Sequence, residues 1–336
     1  MTSKDLRVAV VGAGMMGADH IKRISHRISG AEVVTVVEPD EARAKAAVAD
    51  LPEATTRTRI EDALEKDDLD AVLIATPGPF HEPVLYPALE AGVSILCEKP
   101  LTPDTETSLK VLEAEQKLDR PHIQVGFMRR FDEEYQALRQ LIASKELGEL
   151  LLVKAAHRNP STPPQYTESM LITDSVVHEF DVLPWVTGET LKAVEVRKLK
   201  VNRNATIQEP QLVYLEFESG TVAEVEINVN MKFGYQVTTE AVFENGVAEI
   251  GKTAGLKQWH EGRWGGKEHE SFVTRFVHAY DEQVQRWVDA ARRGTIDGPS
   301  AWEGYLVAAA CEAGVTAQQT GERVAVETIA KPAFYN

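Results

Sequence analysis

Cysteine is scarce in this chain of 336 residues. The two cysteines, Cys97 and Cys311, lie far apart, and each stands among apolar neighbours. A disulfide framework or a thiolate metal site needs several cysteines at short, regular spacing. The nine histidines also show no compact spacing of the zinc-ligand kind. The sequence therefore predicts no disulfide and no metal site, and we expect a reducing, cytoplasmic compartment.

Positive charge is also in short supply. The chain has 36 Lys and Arg against 52 Asp and Glu, a formal net charge of -16, and no basic run interrupts this balance. Such a charge repels nucleic acids and anionic membrane surfaces. We therefore expect no nucleic-acid or membrane partner, and a basic partner or a small neutral ligand fits better.

Long apolar runs are missing as well. No run approaches the roughly 18 residues that a membrane span requires. The start, "MTSKDLRVAVVGAG", enters a strand pattern without the apolar region of a signal peptide. We expect neither a targeting signal nor a membrane span. A composition of 43% hydrophobic and 26% charged residues suits a soluble globular protein. At roughly 100 to 200 residues per domain, the length predicts about two domains.

Short apolar strands alternate with amphipathic helical stretches from residue 6 to about residue 126. The strands read "LRVAVVG", "EVVTVVE", "AVLIAT", "VSILCE" and "HIQVGF". Continuous Val, Ile and Leu strands separated by helices are typical of a parallel sheet that is covered on both faces. Residues 1–125 are therefore predicted to form a doubly wound α/β domain.

The pattern changes after Gly126. In "TVAEVEINVNM", apolar residues such as Val225 and Ile227 alternate with polar ones, the period of two of a sheet with one apolar face. Helical stretches follow at residues 272–293 and 302–319. We predict that residues 126–336 form an α+β domain with a large, predominantly antiparallel open sheet. Its apolar face must be covered by these helices or by another subunit.

A glycine-rich turn follows the first strand. Gly12, Gly14 and Gly17 have the G-x-G-x-x-G spacing at the start of a helix. The first glycine permits the tight turn, the second lets the backbone approach a pyrophosphate, and the third allows close packing. Amides at the helix N-terminus, where Met15 and Met16 lie, hold phosphates. The alternative is a glycine turn of some other α/β protein.

An acidic residue follows the glycine-rich turn at an informative spacing in the sequence. The second strand ends at Glu38, 21 residues after Gly17 (38 minus 17), close to the spacing of a carboxylate that binds the adenosine ribose. A carboxylate there would repel a 2'-phosphate, so NAD is predicted over NADP. Arg43 on the next helix is either a solvated helix residue or a group that reaches a phosphate.

Two more segments follow strands of the same sheet, "TPGPFH" after the fourth and "EKP" after the fifth. Ligands of open α/β sheets sit beyond the carboxyl ends of the strands. Lys99 is either an ordinary lysine at a strand end or a group with a chemical role. The residues predicted near the cofactor at these ends and on the last strand are Thr76, Pro77, His81, Glu98, Lys99, Pro100 and Gln124.

The segment "ITDSVVHEFDVLPW" places several ionisable residues in an apolar, helix-like run, where burying charge is costly. On a helix, positions i and i+4 share a face, so Asp174 can orient His178, and Asp181 lies on nearly the same face. Histidine exchanges protons near neutral pH. The alternative is a satisfied core histidine beside solvated acids. His20, like the other remaining histidines, is expected to be a surface or structural residue.

Several motifs together give a family resemblance. With "VGAGMMGADHI", "CEKPL" and "TDSVVHEFD", the sequence resembles the Gfo/Idh/MocA oxidoreductases. The segments "IQVGFMRRFD", "HRNPS", "FGYQV" and "KPAFYN" look closer still to bacterial inositol 2-dehydrogenases. The resemblance runs from end to end. It implies a Rossmann domain, NAD-dependent oxidation of myo-inositol to 2-keto-myo-inositol (scyllo-inosose), and a homotetramer formed through the C-terminal sheet.

The resemblance also implies roles for individual residues. The family's catalytic lysine falls on Lys99, and its D-x-x-x-H pair falls on Asp174 and His178. His178 would act as the base, Asp174 as its hydrogen-bond partner, and Lys99 would approach them to polarise the hydroxyl. One departure is the loop "TPGPFH", where some relatives carry a tryptophan. The resemblance places Arg129, His157, Asn159, Asp181 and Tyr235 around the polyol.

Other functions stay open at this point. A pocket lined with hydroxyl-binding groups can accept scyllo-inositol, D-chiro-inositol or an aldose in place of myo-inositol. Outside that class, the chain can be a non-catalytic NAD(P)-binding regulator that has kept the fold. Intact Lys99, Asp174 and His178 argue against a regulator.

Overall fold

The computed structural model describes residues 4–252 and 254–336, which form two compact units. The first comprises residues 4–127, 280–308 and 329–336, and the second comprises residues 128–252, 254–279 and 309–328. The predicted second domain, residues 126–336, included 280–308 and 329–336. In the structure these two segments contribute to the first unit instead.

The first unit contains a parallel sheet of Rossmann order, β3-β2-β1-β4-β5-β6. Residues 8–11 of the first strand and 71–74 of the fourth are runs of Val, Ile, Leu and Ala whose side chains are buried on both faces. This confirms the predicted doubly wound α/β fold. The strands are β1 (Leu6–Val11), β2 (Ala31–Val37), β3 (Thr55–Arg57), β4 (Ala71–Ile74), β5 (Ser94–Glu98) and β6 (Ile123–Gly126).

Helices of the first unit begin in two different ways. Asp40 and Asp104 cap their helices by accepting a hydrogen bond from the backbone N–H three residues later. The N-cap residue of the first helix is Gly14, which has no side chain to cap it. Its first amides therefore stay available for a ligand. The helices are α1 (Met15–His26), α2 (Glu41–Ala47), α3 (Ile60–Lys66), α4 (Glu82–Glu90) and α5 (Thr105–Glu115).

The second unit has a mixed, mostly antiparallel sheet in the order β12-β11-β7-β10-β9-β8-β15, in which β7 and β10 pair in parallel. This confirms the predicted open sheet. Its strands are β7 (Leu150–Arg158), β8 (Leu191–Lys198), β9 (Gln211–Phe217), β10 (Val222–Asn228), β11 (Gln236–Phe243), β12 (Gly246–Ile250) and β15 (Val324–Ala325), and a separate hairpin is formed by β13 (Ala254–His260) and β14 (Arg263–Lys267). The helices are α6 (Glu133–Ser144), α7 (Val177–Thr187) and α8 (Phe272–Arg275).

Two further helices are α9 (Val277–Ala291) and α10 (Ala301–Thr320). Either these helices or another subunit was expected to cover the second sheet. In α9, Val284, Trp287 and Val288 join the apolar core formed by β1, β2 and α1 of the first unit. The end of α10 lies in the second unit, where Gln318 donates to Gln211 on β9 over 3.0 Å. Apolar residues of α9 thus explain why residues 280–308 cluster with the Rossmann sheet.

None of the helices within the described ranges is both long enough and apolar enough to cross a bilayer.

Candidate functional site

The glycine-rich turn has the shape of a phosphate cradle. Gly12 has φ +91°, and a Cβ atom there would come within 2.9 Å of the backbone of Ala75 and Thr76. A Cβ at Gly17 would collide with the carbonyl oxygen of Gly12. At Gly14, by contrast, a Cβ would meet no described heavy atom within 4 Å. The space beside Gly14 and the uncapped start of α1 fit a pyrophosphate.

Glu38 is held beside this turn. Its Oε2 atom accepts a hydrogen bond from the Ala13 N–H at 2.9 Å, and its Oε1 atom accepts one from the Asp40 N–H at 3.0 Å. Each carboxylate oxygen has two lone pairs, so capacity remains for ribose hydroxyls. Arg43 lies 3.8 Å from Glu38 Oε2 and is half-exposed. A negative charge is therefore fixed where an adenosine ribose would lie.

His81 connects the segments that follow β4 and β5. It is completely buried, with Nδ1 2.8 Å from the Pro100 carbonyl oxygen and Nε2 2.8 Å from the Thr76 carbonyl oxygen. Burial lowers the pKa of His81, although these carbonyl groups counteract the shift. Because both ring nitrogens face backbone, His81 can influence a cofactor only through the segments it holds.

Glu98 ends β5, Lys99 follows it, and Gln124 lies within the neighbouring strand β6. Glu98 Oε2 accepts the backbone N–H of Lys99 at 3.2 Å. Glu98 Oε1 lies 2.7 Å from Nε2 of His20, a buried residue on α1. Gln124 is completely buried, and its Oε1 accepts the Asp297 N–H at 3.2 Å. His20 is thus a structural rather than a surface histidine, and its partner is in the motif that contains Lys99.

The charged helix of the second unit begins with a π-helical turn, Leu171–Val176, and continues as α7. Asp174 lies in the π turn and is exposed, whereas His178 lies in α7 and is half-buried. The expected regular helix is therefore interrupted between the two residues. Such turns are frequent at functional sites. Much of the rest of this segment is packed: Ser175, Val176, Val177, Phe180, Val182 and Leu183 are all buried.

A buried polar cluster lies beside His178. An Arg129 guanidinium nitrogen donates to Glu179, and the other terminal nitrogen lies 3.2 Å from His157 Nδ1. That Nδ1 atom is also 3.3 Å from Glu179 Oε2. The His157 ring centroid lies 6.3 Å from that of His178 and 6.1 Å from that of Tyr235. Four residues predicted from the resemblance, Arg129, His157, His178 and Tyr235, are therefore brought together.

Charge in this cluster is balanced by Glu179. Burial alone would raise the pKa of the Glu179 carboxyl, but the Arg129 guanidinium and His157 outweigh it and lower the pKa to about 2. Burial raises the pKa of the Tyr235 hydroxyl to about 12. Glu179 is therefore an anion and Tyr235 a neutral phenol at neutral pH. The cluster offers hydrogen-bond donors and acceptors without a net excess of one sign.

The two other predicted polyol contacts have different surroundings. Asp181 is buried and accepts hydrogen bonds from Arg130, from Nε at 3.0 and 3.1 Å and from Nη2 at 2.6 Å. Asn159 pairs through its backbone with Asn228 O at 3.0 Å, while its buried side-chain oxygen has no partner in the described part of the chain. The Asn159 oxygen can therefore accept a ligand hydroxyl, whereas Asp181 is already engaged by Arg130.

Glu179 and Arg130 were not predicted as site residues. Glu179 adjoins His178 in "HEFD", and Arg130 adjoins Arg129 in "MRRF". The signal was charge inside an apolar helix, because a buried charge needs a partner. Two adjacent arginines and two nearby acids give more than one pairing, and the sequence does not choose between them.

No group of three or more His, Cys, Asp or Glu side chains is arranged to hold a metal ion anywhere in residues 4–252 and 254–336.

Comparison with known proteins covers the whole chain. Residues 6–127 match the model of the oxidoreductase family with an NAD-binding Rossmann fold (GFO_IDH_MocA), and residues 135–249 match the GFO/IDH/MocA C-terminal domain. An inositol 2-dehydrogenase of Corynebacterium glutamicum is 59% identical, with 99% of both chains covered. One of Leifsonia xyli subsp. xyli is 57% identical, again with 99% of both chains covered.

A solved structure of an inositol dehydrogenase also matches this chain over nearly its whole length. The myo-inositol dehydrogenase from Lactobacillus casei, in complex with NAD(H) and myo-inositol, superposes with a TM-score of 0.95 at 31% identity, and the match covers 99% of this chain and 100% of that one. Two family models together span more than half of the chain, and the relatives align over nearly all of it. The chain therefore belongs to the Gfo/Idh/MocA family of oxidoreductases.

Proposed function

We propose that this protein is an NAD-dependent inositol 2-dehydrogenase that oxidises myo-inositol to 2-keto-myo-inositol (scyllo-inosose). The observation that carries the proposal is the cluster of Arg129, His157, Tyr235 and Glu179 beside His178. A cyclic polyol presents several hydroxyl groups, each a donor and an acceptor, and this cluster offers both kinds of partner. Full-length relatives at 55% to 59% identity bear the name inositol 2-dehydrogenase.

The first unit would hold NAD. Gly12, Gly14 and Gly17 with the first amides of α1, including those of Met15 and Met16, would bind the pyrophosphate. Glu38 would bind the ribose, and the segments containing Thr76, Pro77, Glu98 and Gln124 would border the rest. His81 would position these segments. NAD, when bound, accepts a hydride from the carbon that is oxidised.

The protein's own residues would handle the proton. His178 would take the proton from the reacting hydroxyl, because an imidazole can exchange protons near neutral pH. Asp174 would orient the ring and stabilise its cation. Lys99 would donate to the same oxygen and stabilise its developing negative charge. Arg129, His157, Asn159 and Tyr235 would bind the other hydroxyls, and Asp181 would act through Arg130.

A substrate and cofactor panel tests this function directly. Purified protein would be assayed for NADH and NADPH formation with myo-inositol, scyllo-inositol, D-chiro-inositol and glucose. We expect the highest kcat/KM with myo-inositol and NAD. A higher value with scyllo-inositol would identify a sister activity; a scyllo-inositol dehydrogenase from Lactobacillus casei superposes with a TM-score of 0.89 at 25% identity. Tight NAD binding without turnover of any polyol would identify a regulator.

Cofactor preference should depend on Glu38. Glu38→Gln removes the charge but keeps an acceptor for the Ala13 N–H, which Glu38 bonds at 2.9 Å. A hydrogen bond to a charged group contributes about 1.5 to 3 kcal/mol. We therefore expect the ratio of kcat/KM for NAD to kcat/KM for NADP to fall roughly 10- to 100-fold.

The matched control for this charge is Glu41→Gln, which removes an exposed acid from the next helix. It should leave the ratio unchanged. An unchanged ratio in Glu38→Gln as well would show that Glu38 does not bind the ribose.

We also propose that the protein is a cytoplasmic homotetramer that assembles through the second sheet. Residues on one face of β9 and β10 are buried, and those on the opposite face are partly exposed. The partly exposed face carries ion pairs such as Arg158 with Glu226 and Arg323 with Glu216. A sizing column with light scattering would give the mass, and a monomer at micromolar concentration would contradict the proposal.

A further inference from the structure

Helix α1 carries a buried histidine to which the proposed NAD site gives no role. His20 lies three residues after Gly17 and is completely buried. Its Nε2 atom lies 2.7 Å from Glu98 Oε1, so this nitrogen donates to the carboxylate. Its Nδ1 atom has no hydrogen-bond partner among the described residues. The Tyr280 ring stands edge-on to the imidazole at 6.0 Å. Among the described residues, the hydrogen bond of the His20 ring is therefore the one from Nε2 to Glu98.

Glu98 contacts both His20 and the backbone of Lys99. Glu98 ends β5 and is 7% exposed, and its second oxygen accepts the Lys99 backbone N–H at 3.2 Å. The paired residue on β6 is Gly126, where a Cβ would lie only 3.0 Å from that oxygen. Gly126 therefore leaves room for the carboxylate against the sheet. A buried carboxylate needs donors, and His20 and the Lys99 N–H both donate to it.

We propose that His20 and Glu98 are a positioning pair that fixes the backbone of Lys99 relative to helix α1. The inference deepens the proposed function, since it rests on Lys99 acting on the reacting hydroxyl. A lysine amine sits at the end of four rotatable bonds, so the place it can reach depends on where its backbone is held. The same helix would hold the pyrophosphate at its N-terminus. One chain of hydrogen bonds thus ties the cofactor helix to the residue that polarises the substrate.

Loss of this pair should slow turnover without weakening binding. Misplacement of a reacting group by about 1 Å can cost about 10²-fold in rate. In the full-length enzyme with NAD and myo-inositol, we expect His20→Ala to lower kcat about 10²-fold, with both KM values changed by no more than about threefold. His20→Gln should recover most of kcat, because a glutamine side-chain amide can reach Glu98 from nearly the position of the imidazole Nε2.

A matched control separates positioning from stability. His122 is also a buried histidine of this unit, with Nδ1 3.2 Å from the Val93 carbonyl oxygen. His122→Ala should lower the Tm about as much as His20→Ala while leaving kcat nearly unchanged. A fall of kcat in His122→Ala equal to that in His20→Ala would overturn the proposal. So would a His20→Gln enzyme with restored Tm and the kcat of His20→Ala.

A second readout does not depend on turnover. After reductive ¹³C-methylation, the Lys99 signal can be assigned as the one lost in Lys99→Arg. Its chemical shift should change in His20→Ala, return in His20→Gln and stay unchanged in His122→Ala. An unchanged Lys99 signal in His20→Ala overturns the positioning role. Failure of the proposed function would give a different result. The wild-type protein would not turn over a polyol, or Lys99→Ala would turn it over as fast as the wild type. The Lys99 signal would still respond to His20→Ala.

Discussion

His178→Ala should lower kcat with myo-inositol by roughly 10² to 10⁴-fold, the usual contribution of general acid-base catalysis. The dissociation constant for NAD should be nearly unchanged, because the phosphate cradle at Gly12, Gly14 and Gly17 lies in the other unit. Steady-state kinetics and NAD titration by fluorescence measure the two quantities. His278→Ala removes an exposed histidine of the same unit and serves as the control.

Lys99→Ala should give a loss of similar size through a different cause. The amine would stabilise negative charge on the reacting oxygen, and removing one such donor costs about 10²- to 10³-fold in kcat. Lys110→Ala, which removes an exposed lysine paired with Glu106, is the control. Near-normal turnover in His178→Ala or in Lys99→Ala would remove that residue from the mechanism and leave the other assignment standing.

Features that depend on local sequence were predictable. The Rossmann sheet follows from runs such as "VAVV" and "AVLI", whose side chains are buried on both faces. The turn at Gly12 was predictable because it needs a glycine: the backbone there has φ +91°, which other residues rarely adopt. The second sheet follows from alternation in β9 and β10, where buried and partly exposed residues alternate. In each case the pattern of residues close together in the sequence is enough to predict the local structure.

Features that depend on contacts distant in sequence were not predictable. Arg129 pairs with Glu179 across 50 positions, and His20 meets Glu98 across 78. Helix α9 reads as an ordinary amphipathic helix, and only the fold reveals that Trp287 belongs to the core of the first unit. The π turn before α7 is also hidden, because its residues suit a regular helix equally well. Pairing and packing between remote segments are set by the tertiary structure.

Glu179→Leu should lower the free energy of unfolding by about 3 to 5 kcal/mol, because it leaves the buried Arg129 charge without its acid. Both side chains are about 1% exposed, so water cannot replace the lost partner. Urea denaturation followed by circular dichroism measures the change. Glu226→Leu, which removes the partly exposed partner of Arg158 on the sheet, is the control and should cost about 1 kcal/mol or less.

The pH dependence gives a second measure of the same pair. The pKa of Glu179 is lowered from 4.5 in the unfolded chain to about 2 in the folded protein. A lowered pKa means that the carboxylate stabilises the fold above pH 4.5 and that this contribution is lost as the pH falls towards 2. The stability difference between wild type and Glu179→Gln should therefore be constant near neutrality and shrink below pH 4.5. A difference that does not vary with pH would contradict the ionised pair.

The double variant Arg129→Met, Glu179→Leu tests whether the ion pair serves mainly to stabilise the fold or to bind the polyol. Replacing a buried ion pair by apolar residues of similar size is often neutral or stabilising by about 1 to 4 kcal/mol. We expect the double variant to recover the stability that Glu179→Leu loses and yet to have a raised KM for myo-inositol. Such a result would mean that the charges are kept to present Arg129 and His157 to the polyol rather than to hold the fold. A double variant with the stability of Glu179→Leu would mean instead that the surrounding residues require the ion pair itself.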